Sequence, residues 1–192
     1  YARAGADIVP AAAGWETELV LKIKEPLAQE YGHLHGQLVF GYFHLAGVSP
    51  ELTDTLLAHN TTAIAYETVE LANGQLPLLT PMSEIAGRMA IQIGAHYMEK
   101  MNGGRGKLMG GVAGVRPADV VILGAGIVGT NAAQVALGMG AHVILIDINL
   151  DRLRYLHEVM GGRLTTLSSN PLTIAQAVQR AELLVGAVLV KG

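Results

Sequence analysis

Val120-Val121-Ile122-Leu123-Gly124-Ala125-Gly126-Ile127-Val128-Gly129 decides the reading of this chain. An apolar strand runs into a G-x-G-x-x-G turn. A helix-like run follows, then a second apolar strand, His142-Val143-Ile144-Leu145-Ile146-Asp147, which ends on a carboxylate 18 positions after Gly129. Gly124 allows the tight turn and Gly126 lets backbone approach a pyrophosphate. Gly129 lets helix and strand pack closely. The helix N-terminus offers free N–H groups and partial positive charge to phosphates. Asp147 can accept hydrogen bonds from a ribose diol, and its charge would repel a 2′-phosphate, which favours NAD over NADP. Glycines also mark ordinary turns, so the flanking strands and the terminal Asp147 carry the specificity of this motif.

The bulk numbers narrow the class. The chain has 192 residues, enough for one domain or two small ones. An apolar content of 51% supplies a packed core, and a net charge of −3 gives no electrostatic reason to expect nucleic acid or anionic membrane as a partner. No cysteine is present, which removes disulfides, thiolate nucleophiles and cysteine metal ligands. A reducing cytoplasm is the expected setting. Tyr1-Ala2-Arg3-Ala4-Gly5-Ala6-Asp7 lacks the basic and apolar regions of a signal peptide. Charged residues or glycines interrupt every apolar run before about 18 residues, so no membrane span is expected.

Strand and helix patterns alternate, which favours parallel α/β sheets. Strands are predicted at Asp7 to Val9, Glu18 to Lys24, Leu38 to His44 and Thr62 to Val69. Pro50 to His59 has helical spacing, with Leu52, Leu56 and Leu57 on one face. Thr80 and Pro81 open a long helix to about Met101, with Ile85, Met89, Ile93 and Tyr97 in a stripe. A glycine-rich loop precedes the fingerprint. Beyond Asp147, helices are predicted at Asp151 to Val159 and Thr173 to Arg180, and strands at Leu164 to Leu167 and Leu183 to Val190. These give four strands of a Rossmann-type doubly wound sheet, whose full form commonly has six. The expected organisation is part of a substrate domain over residues 1–78 and a C-terminally incomplete nucleotide domain over 79–192. The chain is expected to be an internal piece of a longer protein.

Outside the fingerprint, several polar residues stand where α/β folds place ligand groups. Lys22 and Lys24 share a strand face, and Lys24 lies at the strand end. It reads either as a cation for a carboxylate or carbonyl, or as a solvated edge lysine. His44 closes an apolar strand and reads as a general acid/base or as a histidine bonded to backbone. Ser83 falls in the first turn of the long helix, where it either meets a polar ligand or helps to cap. Arg152 and Ser169 follow the second and third strands of the nucleotide unit, near an adenosine or at an ordinary surface. His33 and His35 have no third ligand at convincing spacing, so no metal site is expected.

Taken together, these segments resemble the alanine dehydrogenase family, which is related to the nucleotide-binding subunit of proton-translocating transhydrogenase. The marks are Leu21-Lys22-Ile23-Lys24-Glu25-Pro26, His44-Leu45-Ala46, Ala65-Tyr66-Glu67-Thr68-Val69 and Pro77-Leu78-Leu79. Pro81-Met82-Ser83-Glu84-Ile85-Ala86-Gly87-Arg88, Gly103-Gly104-Arg105-Gly106, Asp147-Ile148-Asn149 and Gly186-Ala187-Val188-Leu189 complete them. The resemblance implies NAD-dependent oxidative deamination of L-alanine to pyruvate and ammonium, and the reverse amination, by a homo-hexamer. It implies that Lys24 binds the substrate's carboxylate and carbonyl and that His44 is the acid/base. It also implies cofactor contacts at Ser83, Asp147, Arg152 and Ser169, with Val188 and Leu189 bordering the nicotinamide. Family members carry a substrate-binding arginine before the stretch matched by Tyr1 and a catalytic aspartate after that matched by Gly192. A nucleotide-binding fragment without turnover and a transhydrogenase-like subunit are the competing expectations.

Overall fold

The computed structural model describes residues 1–188, in two compact units that divide between Leu79 and Thr80. The first unit is a three-stranded parallel sheet: β1 (Leu19–Lys24), β2 (Leu38–Tyr42) and β3 (Thr62–Ala65), in that order. Two helices belong to it, α1 (Ala11–Trp15) and α2 (Pro50–Ala58). Pro50 takes the first turn of α2, where its missing N–H costs nothing, and the Ser49 hydroxyl accepts from Glu51 N–H. Leu52 and Leu56, one turn apart, join Trp15, Val20, Leu34, Val39 and Phe43 in the core.

Several sequence expectations change here. Asp7 to Val9 forms no strand; the chain runs irregularly into α1. β2 stops at Tyr42, because His44 takes a left-handed backbone conformation, φ 43° and ψ 48°. β3 stops at Ala65, where the Thr68 hydroxyl donates to the Ala65 carbonyl at 2.9 Å and draws the chain into a 3-10 turn, Tyr66–Thr68. Such local side-chain bonds compete with ladder pairing. Leu57 lies off the buried face of α2 and is exposed, since it sits ~100° around the helix from Leu56.

The second unit holds α3 (Thr80–Met98), β4 (Asp119–Leu123), α4 (Ile127–Gly138), β5 (His142–Asp147), α5 (Leu150–Val159), β6 (Leu164–Ser168), α6 (Pro171–Arg180) and β7 (Leu183–Gly186). Its four strands are all parallel, in the order β6-β5-β4-β7. That is the first half of a doubly wound sheet, with the chain switching sides of the sheet at β4. Both faces are covered. Val120, Ile122, Val143 and Leu145 pack with Ala132, Ala133 and Ala136 of α4 and Ile91 of α3. Val121, Ile144 and Ile146 pack with Ala177 of α6 on the opposite face.

The packed face of α3 is not the large-residue stripe. Ile85, Met89, Ile93 and Tyr97 are exposed, whereas Gly87, Ile91 and Met98 are buried. A Cβ on Gly87 would run into the Val128 carbonyl and lie 2.9 Å from Asn131 Cβ. The missing side chain therefore lets α3 lie close against α4. α3 ends at Met98 rather than Met101, and α5 and α6 start at Leu150 and Pro171. Asn149 and Asn170 are their caps, accepting from Arg152 N–H at 3.0 Å and Thr173 N–H at 2.9 Å. β7 ends at Gly186, short of the predicted Leu183 to Val190, of which the last two residues lie outside the described residues. No helix among the described residues is long and apolar enough to cross a membrane.

Candidate functional sites

A cavity of about 460 Å³ opens at the carboxyl ends of β4 and β5. Gly124, Gly126, Asp147, Ser169 and Val188 all line it. Gly124 has φ +101°, and a Cβ there would meet the Ala187 carbonyl oxygen at 2.5 Å. Gly129 is buried under the turn, where a Cβ would collide with the Gly124 carbonyl. A Cβ on Gly126, in contrast, would meet nothing within 4 Å. The space above Gly126 is open, and it lies at the N-cap of α4, which has no side-chain cap on its first-turn N–H groups. Open space, uncapped N–H donors and a helix N-terminus together fit a bound pyrophosphate.

Asp147 closes the other side. One carboxylate oxygen accepts from Ala125 N–H at 2.5 Å and the other from Asn149 N–H at 2.7 Å. A carboxylate fixed by two backbone donors keeps lone pairs for a diol. Arg152 reaches back to the same turn: its Nε donates to the Ala125 carbonyl at 3.1 Å and its terminal nitrogen to the Thr130 hydroxyl at 3.0 Å. Thr130 donates to that carbonyl as well, at 3.1 Å. The Ala125 peptide is thus held on its N–H by Asp147 and on its C=O by Arg152 and Thr130. Arg152 braces the turn and does not line the cavity. Ser83 is half-buried one turn before Gly87 on α3 and is also outside the cavity lining. Leu189 lies outside the described residues.

Lys24 and His44 stand at the carboxyl end of the first unit's sheet. Parallel register sets Lys24 beside Tyr42, two residues before His44. Lys22 is engaged, with its ammonium 3.1 Å from Glu30 Oε2 and 3.4 Å from the Glu25 carbonyl. The Lys24 side chain is exposed and makes no hydrogen bond or ion pair among the described residues, so its charge is available to an anion. The His44 side chain is likewise exposed, while its backbone N–H donates to Glu67 Oε1 at 2.5 Å. His33 is stacked on Trp15, with ring centroids 5.9 Å apart.

Sequence reasoning missed two features. Glu67 belonged to a recognised string but carried no role. Its signal was the register: Gly41 pairs with Ala65, which brings the residues just after β2 and β3 to one edge. The second feature is a charged cluster at the amino ends of the strands, opposite the fingerprint, beside a cavity of about 650 Å³. Asp119 and His142 open β4 and β5 in register, and their side chains meet at 2.6 Å. Arg116 lies 3.1 Å and Arg180 3.6 Å from the same Asp119 carboxylate, and Arg116 also pairs with Glu182 at 2.9 Å. Burial pushes the Asp119 carboxyl upward. The His142 hydrogen bond and the nearby charges of Arg180 and Arg116 outweigh that and hold it below its ordinary value.

A four-stranded parallel sheet with a glycine turn at the carboxyl end of β4, together with a separate unit built on a second parallel sheet, defines the class as a two-unit α/β chain of the Rossmann type. The profile of the alanine dehydrogenase/PNT N-terminal domain matches residues 1–86, and that of the C-terminal domain matches 90–192. The chain belongs to the alanine dehydrogenase/PNT family. It is 56% identical over its whole length to an alanine dehydrogenase of Methanococcus maripaludis and 54% identical to one of Mycobacterium tuberculosis. It covers 52% of each, so the chain spans about half the length of the curated relatives it matches. A solved L-alanine dehydrogenase superposes with a TM-score of 0.85 at 55% identity, covering all of this chain and 54% of that one. A transhydrogenase from Sinorhizobium meliloti shares the fold, with a TM-score of 0.71 at 22% identity over 99% of this chain and 55% of its own.

Proposed function

We propose that this chain carries the cofactor turn and part of the substrate site of an NAD-dependent dehydrogenase that deaminates L-alanine to pyruvate and ammonium, and aminates pyruvate in reverse. The observation that carries the reading is the fingerprint cavity with Asp147 at its edge, in a chain 56% identical to an alanine dehydrogenase. Residues 1–78 form the substrate part and 79–192 the NAD part. The protein acts in the cytoplasm as a homo-hexamer on a small soluble amino acid.

The residues divide the work by charge. L-Alanine presents a carboxylate, and the unpaired Lys24 ammonium supplies its countercharge. Amine oxidation and hydrolysis of the resulting imine both need protons moved near neutral pH, which is the province of His44. Gly124, Gly126 and Gly129 shape the turn that seats the pyrophosphate, and Asp147 takes the adenosine ribose. Arg152 holds that turn from behind while Ser83, Ser169, Val188 and Leu189 flank the cofactor. NAD, when held by these residues, would supply the acceptor for the hydride that leaves the alanine Cα.

The test is NADH formation from L-alanine by the full-length protein, followed by absorbance, and by its Lys24→Ala and His44→Ala variants. Undiminished turnover in both variants overturns the site assignment. Calorimetry of the 192-residue chain with NADH separates the competing readings. Binding without turnover marks it as a nucleotide-binding part. Hydride transfer between nucleotides with no need for alanine favours the transhydrogenase-like reading.

A further inference from the structure

We infer that Glu67 is the positioning residue for His44, with Gly47 providing the seat for its ring. The inference rests on the reading of His44 as the acid/base. Three observations converge on it. First, His44 is held at φ 43°, a left-handed conformation that a residue with a Cβ adopts only against steric resistance. Something outside the residue must hold it there. Second, Glu67 Oε1 accepts the His44 backbone N–H at 2.5 Å, across 23 residues of sequence. A carboxylate acceptor makes a stronger hydrogen bond than a neutral one, so it suits a strained donor. Third, the imidazole lies over the following turn in space left by the absence of a side chain at position 47. A Cβ on Gly47 would lie 2.6 Å from His44 Nε2.

The topology explains how two residues so distant in sequence come to do this. β2 and β3 are parallel and pair Gly41 with Ala65. Each strand then ends within a residue or two, so His44 and Glu67 emerge at the same edge. Glu67 lies in the 3-10 turn that Thr68 initiates, and His44 caps a second one, Leu45–Gly47. Both turns would lose their mutual anchor without the Glu67 bond.

A loop brace alone does not account for Glu67. Its second oxygen, Oε2, is buried with no hydrogen-bond partner, and it is the single such side-chain atom found among the described residues. Unmet buried acceptors are costly and concentrate where function tolerates them. An acceptor left uncommitted beside the His44 loop sets Glu67 apart from the other buried polar side chains among the described residues.

The experiment compares three variants of the full-length protein in steady-state alanine oxidation, each with its thermal midpoint recorded. Glu67→Ala releases the His44 backbone and is expected to lower kcat about 100-fold, the scale of an ångström-sized misplacement. The KM for NAD is expected to stay unchanged, because the fingerprint turn belongs to the other unit. Glu67→Gln keeps an acceptor oxygen and is expected to restore kcat to within about 5-fold of wild type. Gly47→Ala leaves Glu67 intact, displaces the ring and is expected to resemble Glu67→Ala. Should Glu67→Ala fail to fold, Glu67→Gln and Gly47→Ala still decide the matter. A wild-type kcat in Glu67→Ala or in Gly47→Ala overturns the proposal, as does a Gln variant as impaired as the Ala one. Full activity in His44→Ala would instead remove the acid/base reading on which the proposal rests.

Discussion

Both units put a left-handed residue just past the carboxyl end of a strand, and they use it in opposite ways. After β4 that residue is Gly124, at φ +101°; after β2 it is His44, at φ 43°. At Gly124 the turn runs so close to the Ala187 carbonyl that a side chain would only obstruct. Glycine also adopts this conformation without steric cost. At His44 the side chain is what the edge presents, so the strain is kept and an external carboxylate holds it. Under the proposed function, the comparison teaches that backbone strain is removed where backbone is to bind and retained where a side chain is to be aimed.

The two sheets differ in burial as well. β4 and β5 are covered on both faces, and Val120, Val121, Ile122, Val143 and Leu145 are wholly buried. β1 buries Val20 but exposes Leu21 and Ile23, by 66% and 78%. The largest expected effect follows from this contrast. Leu145→Ala should destabilise the second unit by about 2–5 kcal/mol, while Leu21→Ala should change stability by only about 0.5 kcal/mol or less. Denaturant unfolding of both variants measures it, and equal losses would break the contrast.

Next in size is the α3–α4 contact. Gly87→Val should cost about 1–3 kcal/mol, because its side chain must displace the Val128 carbonyl. Gly74→Val, on the first unit, places its side chain in near-open space and isolates the cost of a left-handed backbone at φ +80°. A Gly87→Val midpoint equal to that of the wild type would show that α3 yields without strain.

A pH effect distinguishes the two ends of the second sheet. The Asp119 carboxyl is depressed in the folded state, below its ordinary value of 3.8. Its stabilisation is therefore fully present above that value and is lost as pH falls through the folded value. Asp119→Asn should lower stability at neutral pH and flatten its fall in acid, read from thermal midpoints across the pH range. A parallel pH profile in wild type and variant would rule out this contribution.

The smallest effect returns to the opening comparison. His44→Gly should raise stability by about 1 kcal/mol through relief of the left-handed strain, while alanine turnover is lost. A lower thermal midpoint in that variant would show that the His44 side chain contributes more to folding than its backbone costs.

Much of the second unit could be read from the chain, because its signals are local. Apolar runs, a glycine turn and a terminal Asp147 lie within 28 residues of one another, from Val120 to Asp147. The first unit was less legible. β3 is shorter than its β-branched run predicts, because the Thr68 hydroxyl bonds the Ala65 carbonyl in place of ladder pairing. In the second unit the α3 stripe of Ile85, Met89, Ile93 and Tyr97 is exposed, because packing on α4 depends on the missing side chain of Gly87. Neither effect has a signature in hydrophobic periodicity.

By itself the sequence determined the alternation of strand and helix, the glycine turn with its carboxylate, and the family resemblance. All of these depend on residues near one another along the chain. Tertiary structure alone decided that Glu67 grips His44, that Arg152 holds the Ala125 carbonyl, and that Asp119 meets His142. These pairings join residues distant in sequence across parallel strands or through side chains that fold back. Register and turn geometry set such contacts, and both arise only when the sheet is assembled.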